Sequence, residues 1–266
     1  MATNPFSTPD GEVEIAKISD TSIERQQLWD ELEQRFGQEV LSDMVNQEVI
    51  KQAASEYGIS VSEEELDTEL MMIKAKYGSY DEQYLWYGSD WEGQIEQKIL
   101  LEKLLVQSVE ISESAVKEAY NANEDLYKIG KTYHLSHIVV EDKKSAQAIY
   151  EQLQDGVAFG TLALEQSTDT GSAYQAGDIG YINKNQTRYS PSYYKQAGKL
   201  KEEEFSKPFK VEDGYALIFV QEIIKAKTFA YEDVKSMIER ELALEEIDGA
   251  ITASYFWDEL GVKWNY

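Results

Sequence analysis

The sequence predicts an α+β protein in which a small mixed unit interrupts a helical region. Apolar residues recur at helical spacing up to about residue 130, and helical spacing returns after Thr228. Between these regions, YHLSHIVV from Tyr133 and DGYALIFV from Asp213 are rich in β-branched and aromatic residues, which is typical of strands. Because apolar helix faces must be buried, we expect the tail helices to pack on the N-terminal ones, which makes the mixed unit an insertion.

The first predicted elements are one short strand and two helices. VEIAKI, from Val13, alternates apolar and polar residues like a strand. The first helix presents Leu32 and Phe36 on one face and is expected to end at Gly37. The second helix continues to Gly58, where glycine suits a C-terminal cap.

Serine residues predict two further helix starts. Ser62, with Glu65 three residues later, forms the pattern of a capping box, and Ser112 starts a later helix. Another long helix is predicted around Ile95 and Ile99. The aromatic segment that precedes it, residues 77–91, predicts a loop or a short helix.

The mixed unit has a helix ended by Gly156, a second helix in FGTLALEQS, a turn and strand in GDIGYI, and a short helix in PSYYKQAGKL. Two strands follow, joined by a turn at residues 212–214. After the unit, Val234 and Ile238 indicate a helix, and Ile251 and Tyr255 indicate a last one.

Composition excludes several classes of function. Fifty acidic residues stand against 25 basic ones, and a net charge of −25 disfavours nucleic acid and anionic lipid as partners. The chain has no cysteine, so it has no disulfide, thiol nucleophile or thiolate metal site. No run of about 18 apolar residues predicts a membrane-spanning helix.

The segment YHLSHIVVED contains both histidines, His134 and His137. Residues three apart on a strand point to opposite faces, so we expect no shared metal ion. No G-x-S-x-G elbow is present for a nucleophilic serine, and GDIG lacks the spacing of a phosphate-binding loop. We therefore expect neither a metal nor another cofactor.

A series of motifs resembles the parvulin-type peptidyl-prolyl isomerases. SHIVVE, FGTLA, STDTGSA, GDIGY, FSKPF and DGYALIFV occur in the family's order and spacing over Lys131–Lys225. Before them, the stretch from VEIAKISD to NQEVI resembles the N-terminal helical domain of the extracytoplasmic foldases of the PrsA type of Gram-positive bacteria and the related SurA type. The resemblance covers nearly the whole chain.

This resemblance implies an architecture and a location. It implies a parvulin domain, a four-stranded antiparallel sheet with helices, inserted into an all-helical chaperone domain. The expected limits are residues 13–130 for the N-terminal helical domain, 131–226 for the parvulin domain and 227–266 for C-terminal helices that pack back on the first domain. It also implies an extracytoplasmic protein at the outer face of the cytoplasmic membrane, secreted or anchored through an N-terminal segment missing from this sequence.

The resemblance also implies site residues. His137 matches the first of the family's two active-site histidines, and Asp169 stands where these enzymes have Asp or Cys. The substrate-binding positions of the family are occupied here by Ile179 for a Leu, Thr187 for a Met and Tyr194 for a Phe, and we group Ala216 with them. Ala216 stands in place of the second histidine, which in the family forms a hydrogen-bonded pair with the first. A hydrogen bond from His137 to Asp169 would raise the pKa of the histidine and lower that of the aspartate.

Two hypotheses for the function follow. The first is a peptidyl-prolyl cis-trans isomerase and foldase that assists the folding of exported proteins. The alternative is a catalytically weak or inactive parvulin-like chaperone that binds unfolded polypeptides, which Ala216 and Thr187 favour. Both hypotheses predict unfolded or proline-containing polypeptides as clients, and both are compatible with a homodimer. A structural envelope protein without clients is a third hypothesis.

Overall fold

The computed structural model describes residues 13–76 and 91–265. Its contacts divide the chain into two compact units. One comprises the residues up to Ser60 together with those from Gly249 onward, and the other spans Val61–Asp248. The predicted aromatic loop lies outside the described residues except for its last position. The predicted domain limits near residues 130 and 226 both fall inside the second unit and stay a prediction.

The first unit contains a hairpin and one long helix. Strands β1 (Glu14–Ile18) and β2 (Thr21–Glu24) pair antiparallel, and helix α1 spans Arg25–Tyr57. The expected helix end at Gly37 is wrong, because one interior glycine costs only about 1 kcal/mol and good helix formers flank it. The cap at Gly58 is confirmed, since this residue has the left-handed φ of 67°.

The last predicted helix is also corrected. Instead of an α-helix, the first unit has a single 3-10 turn at Ala253–Phe256. The side chain of Thr252 accepts a hydrogen bond from the Ser254 amide at the start of this turn. The helix predicted from the apolar spacing of Ile251 and Tyr255 is therefore wrong, and both side chains are more than half exposed.

The second unit begins with helices α2 (Glu63–Lys76), α3 (Trp91–Val106) and α4 (Glu113–Ala122). The Ser62 hydroxyl accepts a hydrogen bond from the Glu65 amide at 3.2 Å, so the predicted helix start is confirmed. Ser112 caps α4 in the same way. In the part of the chain that the structure describes, no helix combines the length and apolar character needed to cross a membrane.

The strands of the mixed region are β3 (Lys128–Ile129), β4 (Thr132–Val140), β5 (Asp178–Asn183), β6 (Phe209–Val211), β7 (Gly214–Ile224) and β8 (Lys227–Thr228). Four of them form an antiparallel sheet in the order β5-β4-β7-β6, and β3 and β8 form a separate pair. The predicted α+β class and four-stranded sheet are confirmed. The helices of this region are α5 (Lys143–Gln154), α6 (Phe159–Gln166), α7 (Thr170–Ala173) and α8 (Pro191–Ala197).

Strand β4 is central and buried on both faces. Ile138 and Val140 on one face belong to a core with α5 and α6. Leu135 and Val139 on the other face belong to a core with α8. Because side chains alternate along a strand, His137 lies on the α8 face, between Leu135 and Val139.

Helix α9 (Tyr231–Glu245) packs on α2, α3 and α4 around a buried ionic cluster. Arg240, 4% exposed, donates to Glu65 at 2.9 Å, to Glu102 at 2.8 Å and to Glu69. One guanidinium therefore joins three helices through carboxylates from α2 and α3. Its fork of donors suits several carboxylates at once.

We predict that Arg240→Met lowers the free energy of unfolding by about 3 to 5 kcal/mol, because it removes the ion-pair partner of the buried Glu69 and one of the two cations that Glu65 and Glu102 each contact. Urea unfolding followed by circular dichroism measures the loss. The matched control is Lys235→Met, also on α9, whose ion pair with Glu113 at 3.4 Å is on the surface. That change should cost less than about 1 kcal/mol, and equal losses in the two variants would contradict the prediction.

Candidate active site

The backbone around His137 is held by a close approach between β4 and the turn before β5. The His137 amide donates to the Gly177 carbonyl at 2.7 Å, and Gly177 has a positive φ of 79°. A Cβ on Gly177 would lie 2.3 Å from the His137 carbonyl oxygen. The first glycine of GDIG is therefore required by the contact that positions His137.

Asp169 reaches His137 from the start of α7. One carboxylate oxygen, Oδ1, accepts from the Gly171 amide at 3.2 Å and caps this short helix. The other, Oδ2, lies 2.6 Å from His137 Nε2 and accepts from the Ser172 hydroxyl at 2.8 Å. Ser172 Oγ also lies 2.9 Å from Nε2. The predicted pair of His137 and Asp169 thus meets, and Ser172, which we did not predict, completes a triangle.

Burial sets the protonation of His137. The side chain is 3% exposed, and desolvation lowers its pKa below the ordinary 6.5, although the hydrogen bond that His137 donates to Asp169 acts in the opposite direction. The carboxylate acts on the pKa of His137 in the expected direction, but burial outweighs it, so the pKa falls instead of rising. At neutral pH the imidazole is uncharged.

Asp169 remains ionised beside this neutral ring. Partial burial acts to raise its pKa, but hydrogen bonds from Ser172 and His137 lower it below the ordinary 3.8. An ionised carboxylate only accepts hydrogen bonds, so the imidazole proton lies on Nε2 and Nδ1 carries a lone pair. The Asp169 side chain is 37% exposed, which presents its charge to solvent.

Tyr193 on α8 contacts the other ring nitrogen. Its hydroxyl lies 3.0 Å from His137 Nδ1, and the residue is 4% exposed. Burial raises the pKa of Tyr193, so the hydroxyl keeps its proton. Tyr194, the adjacent residue that we predicted to bind substrate, packs its ring against Tyr133, with 5.3 Å between ring centres. The sequence spacing could have indicated Tyr193 instead, because Ala197, which is buried, follows Tyr193 by one helical turn.

The loop before α8 adds a second aromatic ring to the site. The Tyr189 ring lies 5.8 Å from the His137 ring at 84°, an edge-to-face contact. The Gln186 side chain donates to the Tyr189 carbonyl at 2.9 Å and accepts from its amide at 2.8 Å, which shapes the loop. We did not predict Tyr189. The predicted Thr187 is exposed in the same loop.

Ile179 and Ala216 are both buried on the α8 side of the sheet. Ile179, 4% exposed, belongs to the apolar cluster that contains Tyr193. Ala216, fully buried, pairs with Val139 on β4 and with Phe209 on β6. The residue paired with His137 on β7 is Ile218, so Ala216 lies two positions along β7 on the same face.

The second histidine has a separate acidic partner. His134 Nε2 lies 2.9 and 3.0 Å from the two carboxylate oxygens of Asp178, and its ring stacks on Tyr181 at 4.5 Å. The two histidines therefore belong to two different His–Asp pairs.

Comparisons with known proteins agree with this fold. The family described as the PPIC-type PPIASE domain matches residues 111–236. The Bacillus subtilis (strain 168) protein YacD, provisionally named a peptidyl-prolyl cis-trans isomerase, is 35% identical, with 95% of this chain and 85% of the relative covered. Foldase protein PrsA of Geobacillus kaustophilus (strain HTA426) is 31% identical, with coverage of 92% and 83%.

A solved structure, PrsA from Bacillus subtilis, is 26% identical and covers 95% of this chain and 93% of its own, with a TM-score of 0.34. By its two sequence relatives and the matched domain, the chain belongs to the parvulin, or PPIC-type, family of peptidyl-prolyl cis-trans isomerases.

Proposed function

We propose that the chain isomerises X-Pro peptide bonds of polypeptide clients at the site formed by His137 and Asp169, and that the Asp169 carboxylate lies beside the reacting amide. The observation that carries this proposal is the contact of 2.6 Å between a buried neutral imidazole and a partly exposed carboxylate. His137 and Ser172 are buried and orient the carboxylate, while Asp169 remains open to a bound client.

The carboxylate can accelerate rotation without forming a bond to the client. Rotation of an amide faces a barrier of about 20 kcal/mol, because conjugation shifts electron density onto the carbonyl oxygen. A twisted amide is less conjugated and has less negative charge on that oxygen. An anion beside the oxygen therefore disfavours the planar form more than the twisted one, which lowers the barrier.

The positions that we predicted to bind substrate differ in their surroundings. Ile179 belongs to the apolar cluster that contains Tyr193, which supports a role for it in the wall that would contact the proline ring. Thr187 is exposed on the loop beside the site, where it can meet a client chain. Tyr194 is less well supported as a pocket residue, since its ring packs on Tyr133.

We further propose that the clients are exported proteins that fold outside the cytoplasm. Proline isomerisation takes about 10 to 100 s without catalysis and limits the folding of many chains. The resemblance to extracytoplasmic foldases and the two relatives named above support this role. The net charge of −25 is consistent with polypeptide rather than nucleic-acid partners.

A protease-coupled proline assay on the folded wild-type protein tests the proposal. Catalysis above the spontaneous rate is the expected result. A rate equal to the uncatalysed one would instead favour a chaperone that only binds clients, the function suggested by alanine at position 216.

We predict that Asp169→Asn lowers kcat/KM about tenfold or more, because the amide keeps the shape but not the charge of the carboxylate. The same assay measures the effect. Asp178→Asn is the matched control, since it removes the charge from the chain's other His–Asp pair. An Asp169→Asn enzyme as active as the control would contradict the role of the charge.

We predict that kcat/KM is constant above neutral pH and falls in acid with a midpoint below 6.5. The reason is that burial lowers the pKa of His137, so the neutral ring persists until the pH drops through that lowered value. Protonation then places a positive charge against Asp169 and cancels its field. Assays from about pH 5 to pH 8.5, with folding checked at each pH, test this. A midpoint above 6.5 would contradict it.

A further inference from the structure

His137 receives no polar partner from the neighbouring strand β7. Its paired residue there is Ile218, and the residues on either side of Ile218 on the same face are Ala216 and Val220. All three are fully buried and apolar. Nδ1 of a buried imidazole needs a hydrogen-bond partner, so the partner must come from another element.

We infer that the Tyr193 hydroxyl is a positioning residue for isomerisation, and that it replaces the second histidine expected at Ala216 by donating to His137 Nδ1 from α8. This inference rests on the proposed function, because the group that Tyr193 positions is the imidazole that holds Asp169. The contact is 3.0 Å long and buried.

The direction of the hydrogen bonds follows from the acceptor at the other end of the ring. Asp169 is ionised and accepts from Nε2–H at 2.6 Å, so Nδ1 must itself accept. Tyr193 O–H is the donor that satisfies it. The chain of bonds from Tyr193 through His137 to Asp169 therefore fixes both the tautomer and the orientation of the ring.

The position of Tyr193 is compatible with alanine at 216. Its ring packs edge-to-face on Phe209, with 5.3 Å between centres, and Phe209 is paired directly with Ala216. The ring thus covers a part of the sheet where Ala216 presents only a methyl group. Tyr189, at 5.3 Å, contacts the same ring and restricts its rotation further.

A tyrosine donor differs chemically from a histidine donor. Its hydroxyl is neutral and keeps its proton through neutral pH, whereas a second imidazole would titrate near the first. The site therefore contains a single titrating ring, so the fall of kcat/KM in acid should follow one ionisation of that ring.

The test is Tyr193→Phe, which keeps the aromatic ring and removes only the hydroxyl. We expect kcat to fall about 3- to 10-fold with KM nearly unchanged, because the lost bond orients His137 and does not face the client. The matched control is Tyr181→Phe, which removes another buried tyrosine hydroxyl, bonded to Glu222 at 2.6 Å and with a pKa likewise raised by burial. The control should retain kcat within about twofold.

A second readout distinguishes positioning from a general loss of structure. Nitrogen-15 NMR of the imidazoles is tractable because the chain has two histidines, and His134→Gln assigns the remaining signals to His137. Wild-type protein should show the Nε2–H tautomer with a hydrogen-bonded Nδ1. In Tyr193→Phe, the Nδ1 signal should move to the value of an unbonded ring nitrogen.

Two results would overturn the inference. One is an unchanged Nδ1 signal in Tyr193→Phe, and the other is a variant that catalyses as fast as an active wild type. If the wild type itself failed to catalyse, the proposed function would fall together with the positioning role. An active wild type with an equally active variant would remove only the role of Tyr193.

Discussion

The candidate site depends on the position of β4 at the centre of the sheet. This strand pairs with β5 along one edge and β7 along the other, and it is buried on both faces. A slip of one residue would move every side chain to the opposite face and carry His137 from the α8 side to the core with α5 and α6. Register at β4 therefore determines whether His137 can meet Asp169 and Tyr193.

Two buried polar clusters of the second unit, around Arg240 and around His137, stabilise their charges differently. Arg240 remains charged and is surrounded by carboxylates from α2 and α3, an arrangement that compensates the cost of burial with opposite charge. His137 is instead uncharged. The charge lies on Asp169, whose side chain is 37% exposed, so solvent and hydrogen-bond donors stabilise it. The first arrangement ties helices together, whereas the second exposes an oriented anion.

In the role that we propose for Tyr193, the second partner of His137 comes from a helix and not from the neighbouring strand. The residue at 216 on β7 is a buried alanine, and a hydroxyl from α8 contacts the His137 ring. Tyr193 and Ala216 are distant in sequence. Only the packing of Tyr193 on Phe209, the partner of Ala216, connects the two positions.

The α+β class, the strand around His137 and the caps at Gly58 and Ser62 could be predicted from the sequence, because they depend on local periodicity and cap chemistry. The pairing of His137 with Asp169 was implied by the resemblance of the motifs to the parvulin family. That Tyr193 and not Tyr194 faces His137 followed from the tertiary structure, because adjacent helical residues diverge by about 100° and the docking of α8 selects one. The tertiary structure also decided the direction of the pKa shift of His137, since desolvation depends on the elements that cover the ring.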